Sequence, residues 1–313
     1  MSDNTIILCP GQGSQRAGMG KAWFDASPAA AQTFAAADEI LGDRLGAPLS
    51  RLCFEDPNGT LNQTNVSQPA IFVTSVACRQ AMLEGDATIA THLAGLSLGE
   101  YTALHLAGVM SFEDALELVA LRGAAMQDAA EACEGSMVAL TGADEAQARD
   151  LCERASEGGV LGPANFNAPG QIVLSGDAYA CARAAALAGE SGLRATPLTV
   201  AGAFHSPHMA PAAERLSAAL ENTTLHAPRC VVMANVTGEP HASDPASIRT
   251  RLIEQLTQPV RWDLCGRWLA DHAPGDFLEL APGKVLTGLM RRIERSIKPT
   301  AHDEPAPASG ETA

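Results

Sequence analysis

No apolar run in these 313 residues approaches the ~20 needed to cross a bilayer, so no spanning helix is expected. The opening Met1-Ser2-Asp3-Asn4 carries no basic stretch, and the apolar segment Ile6 to Cys9 is too short for a signal sequence; a cytoplasmic location is expected. Basic residues are scarce. The 21 Lys and Arg stand against 36 Asp and Glu, a formal net charge of −15, which disfavours nucleic acid and anionic membrane as general partners. Eight cysteines (Cys9, Cys53, Cys78, Cys133, Cys152, Cys181, Cys230, Cys265) form no Cys-x-x-Cys pair and no zinc-like spacing with histidine. They read as free thiols in a reducing compartment. No internal repeat is present.

What is there is a globular composition, 46% hydrophobic and 18% charged, in a chain long enough for one large domain or one and a half. Thr5 to Cys9 reads as a buried strand entering a loop at Pro10-Gly11. Pro69 to Leu83 reads as a helix, Ala90 to Leu96 as a strand, Glu100 to Gly108 and Phe112 to Ala130 as helices. From 135 to 200 the pattern becomes strand, helix, strand, strand, helix, strand, the split βαβ order of a ferredoxin-like unit. This predicts a small subdomain over 132–202, inserted into a larger α/β body formed by 1–131 and 203–298. Later come a strand at Cys230 to Asn235, a strand at Asp276 to Glu279, and a last helix from Lys284 to Ile297. The residues 299–313, with three prolines, small side chains and acids, read as a disordered tail. Lys284, Arg291, Arg292, Arg295 and Lys298 concentrate positive charge just before it.

The pentapeptide Gly95-Leu96-Ser97-Leu98-Gly99 stands between a predicted strand and a predicted helix. That is the context of a nucleophile elbow, where glycines permit a sharp turn that holds the serine exposed at a helix N-terminus. The N–H of Leu98 would then point to where an oxyanion forms. A serine hydroxyl needs a base to take its proton. Of eight histidines, His205 lies in the loop Gly202-Ala203-Phe204-His205-Ser206-Pro207, at the return from the inserted unit. His205 and His208 at i, i+3 lack the glutamate of a zinc-protease helix, so a metal is not expected. Chain order argues against an ordinary α/β-hydrolase, where an acid and then a late histidine follow the serine. A Ser-His dyad, with a neutral acceptor on the imidazole, is the better expectation. The loop Pro10-Gly11-Gln12-Gly13-Ser14-Gln15 matches neither a dinucleotide fingerprint nor a P-loop, and reads as a source of an oxyanion N–H.

Together these segments resemble the malonyl-CoA:acyl carrier protein transacylase family, which includes polyketide-synthase acyltransferase domains. The resemblance runs from residue 5 to about 297. It includes Ser67-Gln68-Pro69-Ala70, Gly95 to Tyr101, Arg122-Gly123, Asn165 to Gln171, Gly202 to Ser206 and Ala281 to Gly288. It implies a large α/β-hydrolase-like domain with an inserted ferredoxin-like (βαββαβ) subdomain. It also implies acylation of Ser97, His205 as base, and Gln255 offering its backbone carbonyl to the imidazole. Gln12 and Leu98 would supply the oxyanion N–H groups. Arg122 would hold the malonyl carboxylate, a role suited to a guanidinium fork, with Phe204, Asn167 and Gln68 also at the substrate. Phe204 resembles malonyl-type members, since a phenyl ring would crowd an α-methyl branch. One departure is Leu96, where the family most often has histidine; that side of the pocket becomes less polar.

The reaction so implied is ping-pong transfer of malonyl from coenzyme A to the phosphopantetheine thiol of acyl carrier protein, feeding fatty-acid synthesis, by a monomer without metal or cofactor. The basic cluster would meet the acidic carrier protein. Alternatives are a serine hydrolase or thioesterase, a trans-acting polyketide acyltransferase, and a carrier-protein docking module with a vestigial elbow.

Overall fold

The computed structural model describes residues 4–85 and 88–306. Strand β1 (Thr5–Cys9) leads through the glycine-rich loop to helices α1 (Lys21–Ala26), α2 (Pro28–Leu41), α3 (Leu49–Glu55) and α4 (Thr64–Gly85). β2 (His92–Gly95) turns into α5 (Leu98–Leu106), followed by α6 (Phe112–Glu131). The second unit comprises β3 (Gly135–Thr141), α7 (Glu145–Ser156), β4 (Leu161–Ala168), β5 (Gln171–Asp177), α8 (Ala178–Glu190) and β6 (Arg194–Pro197). A 3-10 turn (Pro207–Met209) then opens α9 (Ala210–Glu221), β7 (Val231–Val232), α10 (Pro245–Thr257), α11 (Trp262–His272), β8 (Asp276–Leu280), α12 (Val285–Ile293) and β9 (Thr300–His302).

The larger sheet is parallel, in the order β7-β2-β1-β8-β9. β1 lies at its centre, and its five residues are all buried. Alternation sends Ile7 and Cys9 into the core beneath α4, α5 and α6, and Ile6 and Leu8 into a second cluster with Trp262, Leu286 and Met290. Covering both faces makes β1 a continuous apolar run. The smaller sheet is antiparallel, in the order β4-β5-β3-β6, with its own core of Val138, Leu140, Leu151, Ile172 and Leu174. Its order and βαββαβ connectivity are ferredoxin-like. The two units are stitched at β4. Phe166 N–H donates to the Val260 carbonyl at 2.9 Å, Val260 N–H donates to Ala164 at 2.8 Å, and Arg261 stacks 4.2 Å from the Phe166 ring centre.

Four local expectations need correction, one of them the last helix, which ends at Ile293 rather than Ile297 because the backbone turns extended at Glu294. Helix α4 begins at Thr64, so Pro69 lies inside it. The extra turn is held by tertiary bonds, including Gln127 Oε1 accepting from Thr64 N–H at 2.9 Å, which local sequence does not reveal. The strand expected over Cys230 to Asn235 shrinks to Val231–Val232, because Met233 bridges back to Pro240 and the chain turns at Asn235. The tail expected to be disordered from 299 contains β9, whose residues Thr300 and His302 pair in register with Leu278 and Leu280. Its carbonyls at His302 and Asp303 accept from Trp23 Nε1, each at 3.2 Å, and Asp303 accepts from Gly283 N–H at 2.7 Å. A short polar strand needs only a free sheet edge to pair, and its own composition does not announce one. Residues 307–313 of that expectation lie outside the described residues.

Candidate active site

The C-terminal ends of the parallel strands gather the site. Ser97, between β2 and α5, has φ 54° and ψ −102°, outside the regions L-residues ordinarily occupy. Two close approaches demand this turn. A Cβ on Gly95 would lie 1.9 Å from the Gly99 backbone, and one on Gly99 would lie 2.1 Å from the Cys9 carbonyl oxygen. Asn235 ties the elbow down: its Oδ1 accepts from Ser97 N–H at 2.6 Å and its Nδ2 donates to the Gly95 carbonyl at 2.7 Å.

His205, also at positive φ (56°), places Nε2 2.8 Å from Ser97 Oγ. Its Nδ1 donates to the Gln255 backbone carbonyl at 2.7 Å. A carbonyl can only accept, so Nδ1 carries the hydrogen and the neutral ring leaves Nε2 free to take the serine proton. Burial, and then the charge of Arg122, pull the imidazole down from 6.5 to about 4, while the Gln255 carbonyl works the other way. At neutral pH the ring is therefore an unprotonated base.

Arg122 comes from α6 and is 1% exposed. Its Nη2 donates to Ser97 Oγ at 3.0 Å and to Gln255 Oε1 at 2.9 Å, and its Nη1 donates to Gln68 Oε1 at 2.6 Å. Its guanidinium also lies 5.2 Å from the Tyr101 ring centre. Every one of these hydrogen-bond partners is neutral. None of them is a carboxylate, although Glu100, on the far side of Gln255, offsets part of the cost of burying this cation through space; Nη2 faces the Ser97 hydroxyl.

Of the residues expected at the site, the structure joins Ser97, His205, Gln255, Arg122 and Gln68 in one hydrogen-bonded set. Leu98 opens α5 and is buried. The loop bearing Gln12 packs against the elbow, where a Cβ on Gly11 would meet the Leu96 carbonyl oxygen at 2.2 Å. Phe204 is buried in the main core beside His205. Asn167 lies half-buried on β4 and is not part of the hydrogen-bonded set. Leu96 packs towards the cluster of Ile6, Leu8 and Trp262. Sequence reasoning missed Asn235, whose only local signal was a strand end, and the roles of Glu100 and His241, described below.

The model of the acyl transferase domain family matches residues 6–308. A malonyl CoA-acyl carrier protein transacylase of Bacillus subtilis (strain 168) is 41% identical over 301 residues, covering 96% of this chain and 93% of the relative. The solved malonyl-CoA:acyl carrier protein transacylase of Xanthomonas oryzae pv. oryzae matches with a TM-score of 0.91 at 41% identity, over 97% of this chain and 96% of that one. A malonyl-transacylase solved in complex with its type II polyketide-synthase acyl-carrier protein matches with a TM-score of 0.91 at 36% identity, over 96% of each chain.

Proposed function

Because the chain belongs to the acyl transferase domain family, with malonyl-CoA:acyl carrier protein transacylases similar to it along nearly its whole length, we propose how its side chains carry malonyl from coenzyme A to acyl carrier protein. The enzyme is an acyltransferase, and the scheme is ping-pong. Ser97 Oγ attacks the thioester carbonyl of malonyl-CoA while His205 Nε2 takes the hydroxyl proton. The oxyanion receives N–H groups of Gln12 and Leu98. As the intermediate collapses, the C–S bond breaks and His205 returns the proton to the departing coenzyme A thiolate. The phosphopantetheine thiol then gives its proton to His205 and attacks the malonyl-Ser97 ester. The C–O bond breaks, and Ser97 recovers its hydrogen from His205. Every proton is carried by these two residues, so the scheme calls for no resident cofactor.

The observation that carries the malonyl assignment is Arg122 Nη2 at 3.0 Å from Ser97 Oγ. A guanidinium buried there, whose direct hydrogen-bond partners are all neutral, suits an acyl group ending in a carboxylate that can bond it directly. Acceptor docking fits the exposed cations Lys284, Arg291, Arg292, Arg295 and Lys298, set on and around α12 in a chain of net charge −15. They would attract an acidic carrier protein to this face of the molecule.

Intact mass after mixing with malonyl-CoA, acetyl-CoA or methylmalonyl-CoA tests the reading. A malonyl adduct absent from Ser97→Ala is expected. Rapid release of free malonate with no stable adduct would replace the transferase with a hydrolase.

A further inference from the structure

Behind the dyad lies a buried carboxylate that the acyl-transfer scheme leaves unused. Glu100 sits in the first turn of α5, three residues beyond the nucleophile, and is 0% exposed. One oxygen, Oε1, lies 2.6 Å from His241 Nε2. The other, Oε2, accepts from Gln255 Nε2 at 2.6 Å and from Asn235 N–H at 3.2 Å. The carboxylate thus joins α5, α10 and the segment after β7.

Gln255 is the link to the chemistry. Its side-chain NH2 donates both to Glu100 Oε2 and to the Ser97 carbonyl, the latter at 3.0 Å. Both partners are acceptors, so only one orientation of the amide is compatible with them. That orientation turns Oε1 towards Arg122 Nη2 at 2.9 Å. A flipped amide would set its oxygen against two acceptors and its NH2 against a guanidinium. The same residue's backbone carbonyl holds His205 Nδ1. One residue therefore touches both base and anchor, and a buried acid fixes its sense.

We propose that Glu100, braced by His241, is a positioning residue that orients the Gln255 amide and through it aims Arg122 at the acyl carboxylate. It touches neither substrate nor Ser97 Oγ. Its loss frees the amide to flip, which repels Arg122 from its place beside the nucleophile. Discrimination between malonyl and acetyl groups then falls. This inference rests on the malonyl-transfer reading above.

The test is single-turnover acylation with malonyl-CoA and with acetyl-CoA, in the parent, Glu100→Ala, Glu100→Gln, Gln255→Met and the double variant Glu100→Ala/Gln255→Met. Glu100→Ala is expected to lower the malonyl-to-acetyl ratio about tenfold, chiefly through a higher KM for malonyl-CoA. Glu100→Gln keeps an acceptor oxygen facing Gln255 Nε2 and should recover most of that ratio. Gln255→Met keeps the backbone carbonyl but has no amide, so it should lower the ratio alone, and adding Glu100→Ala should lower it no further. A folded Glu100→Ala with the parent ratio, a Glu100→Gln no better than alanine, or a full further loss in the double variant would each overturn the proposal. An unchanged ratio in Gln255→Met would overturn it even if Glu100→Ala gave no soluble protein. A parent that forms no malonyl adduct sinks the malonyl reading itself, whereas a parent that discriminates beside variants that discriminate equally sinks only the role of Glu100.

Discussion

Ser97 Oγ and His205 Nε2 stand 2.8 Å apart, and both residues hold a left-handed φ, 54° and 56°. Non-glycine residues in such conformations store on the order of 1–3 kcal/mol each, which the surrounding packing must hold in place. At Ser97 that hold comes from Asn235 and from the glycine contacts on either side. Ser97→Gly should therefore unfold in urea with about 1 kcal/mol more stability than Ser97→Ala, while both lose the acyl adduct. Equal stabilities would mean the elbow carries no strain that a glycine can relieve.

Acidification should act on His205 twice. The native imidazole stays neutral down to about 4, whereas the unfolded one titrates near 6.5. Between those values the unfolded chain binds the extra proton, so stability is complete above 6.5 and falls as pH drops towards 4. His205→Gln should lose that component of the slope in urea titrations run across the window.

Catalysis should show the same group at a different pH. The charge of Arg122 is the second cause of the low value, and a bound malonyl carboxylate neutralises it. The acid limb for kcat with malonyl-CoA should lie above the limb for kcat/KM, because the former reports the complex and the latter the free enzyme. With acetyl-CoA the two limbs should coincide. A coincident pair with malonyl-CoA would place its carboxylate away from Arg122.

Arg122→Ala should cut malonyl acylation by about 100-fold, the scale of a lost charge-assisted bidentate contact, and raise acetyl acylation. Stopped-flow coenzyme A release with each thioester measures both. Equal losses would make Arg122 a structural residue.

Asp303 links three parts of the chain: Gly283 N–H, Arg16 at 2.9 Å, and, through its carbonyl, Trp23. Arg16 follows the loop that carries Gln12. Truncation after Lys298 removes β9 and these bonds, and should lower stability to urea by several kcal/mol, whereas Asp303→Ala should cost about 1–2 kcal/mol. A truncated chain as stable as the parent would show that β9 merely rests on the sheet.

Legibility in the sequence followed locality. The elbow was readable because its glycines, its serine and the following helix lie within a dozen residues, and the steric need is local. The inserted unit was readable because its strand and helix periods alternate over about 65 contiguous residues, a span set by the order of its elements. His205 was singled out by its loop of small residues and proline, whereas the roles of Arg122 and Gln255 came from resemblance to a family, since no spacing rule links them to Ser97. Asn235, Glu100 and His241 escaped even that, because an asparagine, a glutamate and a histidine look the same whether buried or solvated. β9 escaped because a three-residue polar segment has no period.

Ser97 in its turn was thus written in the sequence alone, through the missing side chains of Gly95 and Gly99, which let the backbones close up, and the strand-to-helix pattern around them. Only the tertiary structure decided what surrounds that hydroxyl. It brings His205 across 108 residues to 2.8 Å, seats Arg122 beside it among neutral acceptors, and sets a buried Glu100 behind Gln255. The physical reason is that backbone conformation answers to neighbours a few residues away. The hydrogen-bond partner of a buried polar group is chosen by packing, which joins strands and helices from across the whole chain.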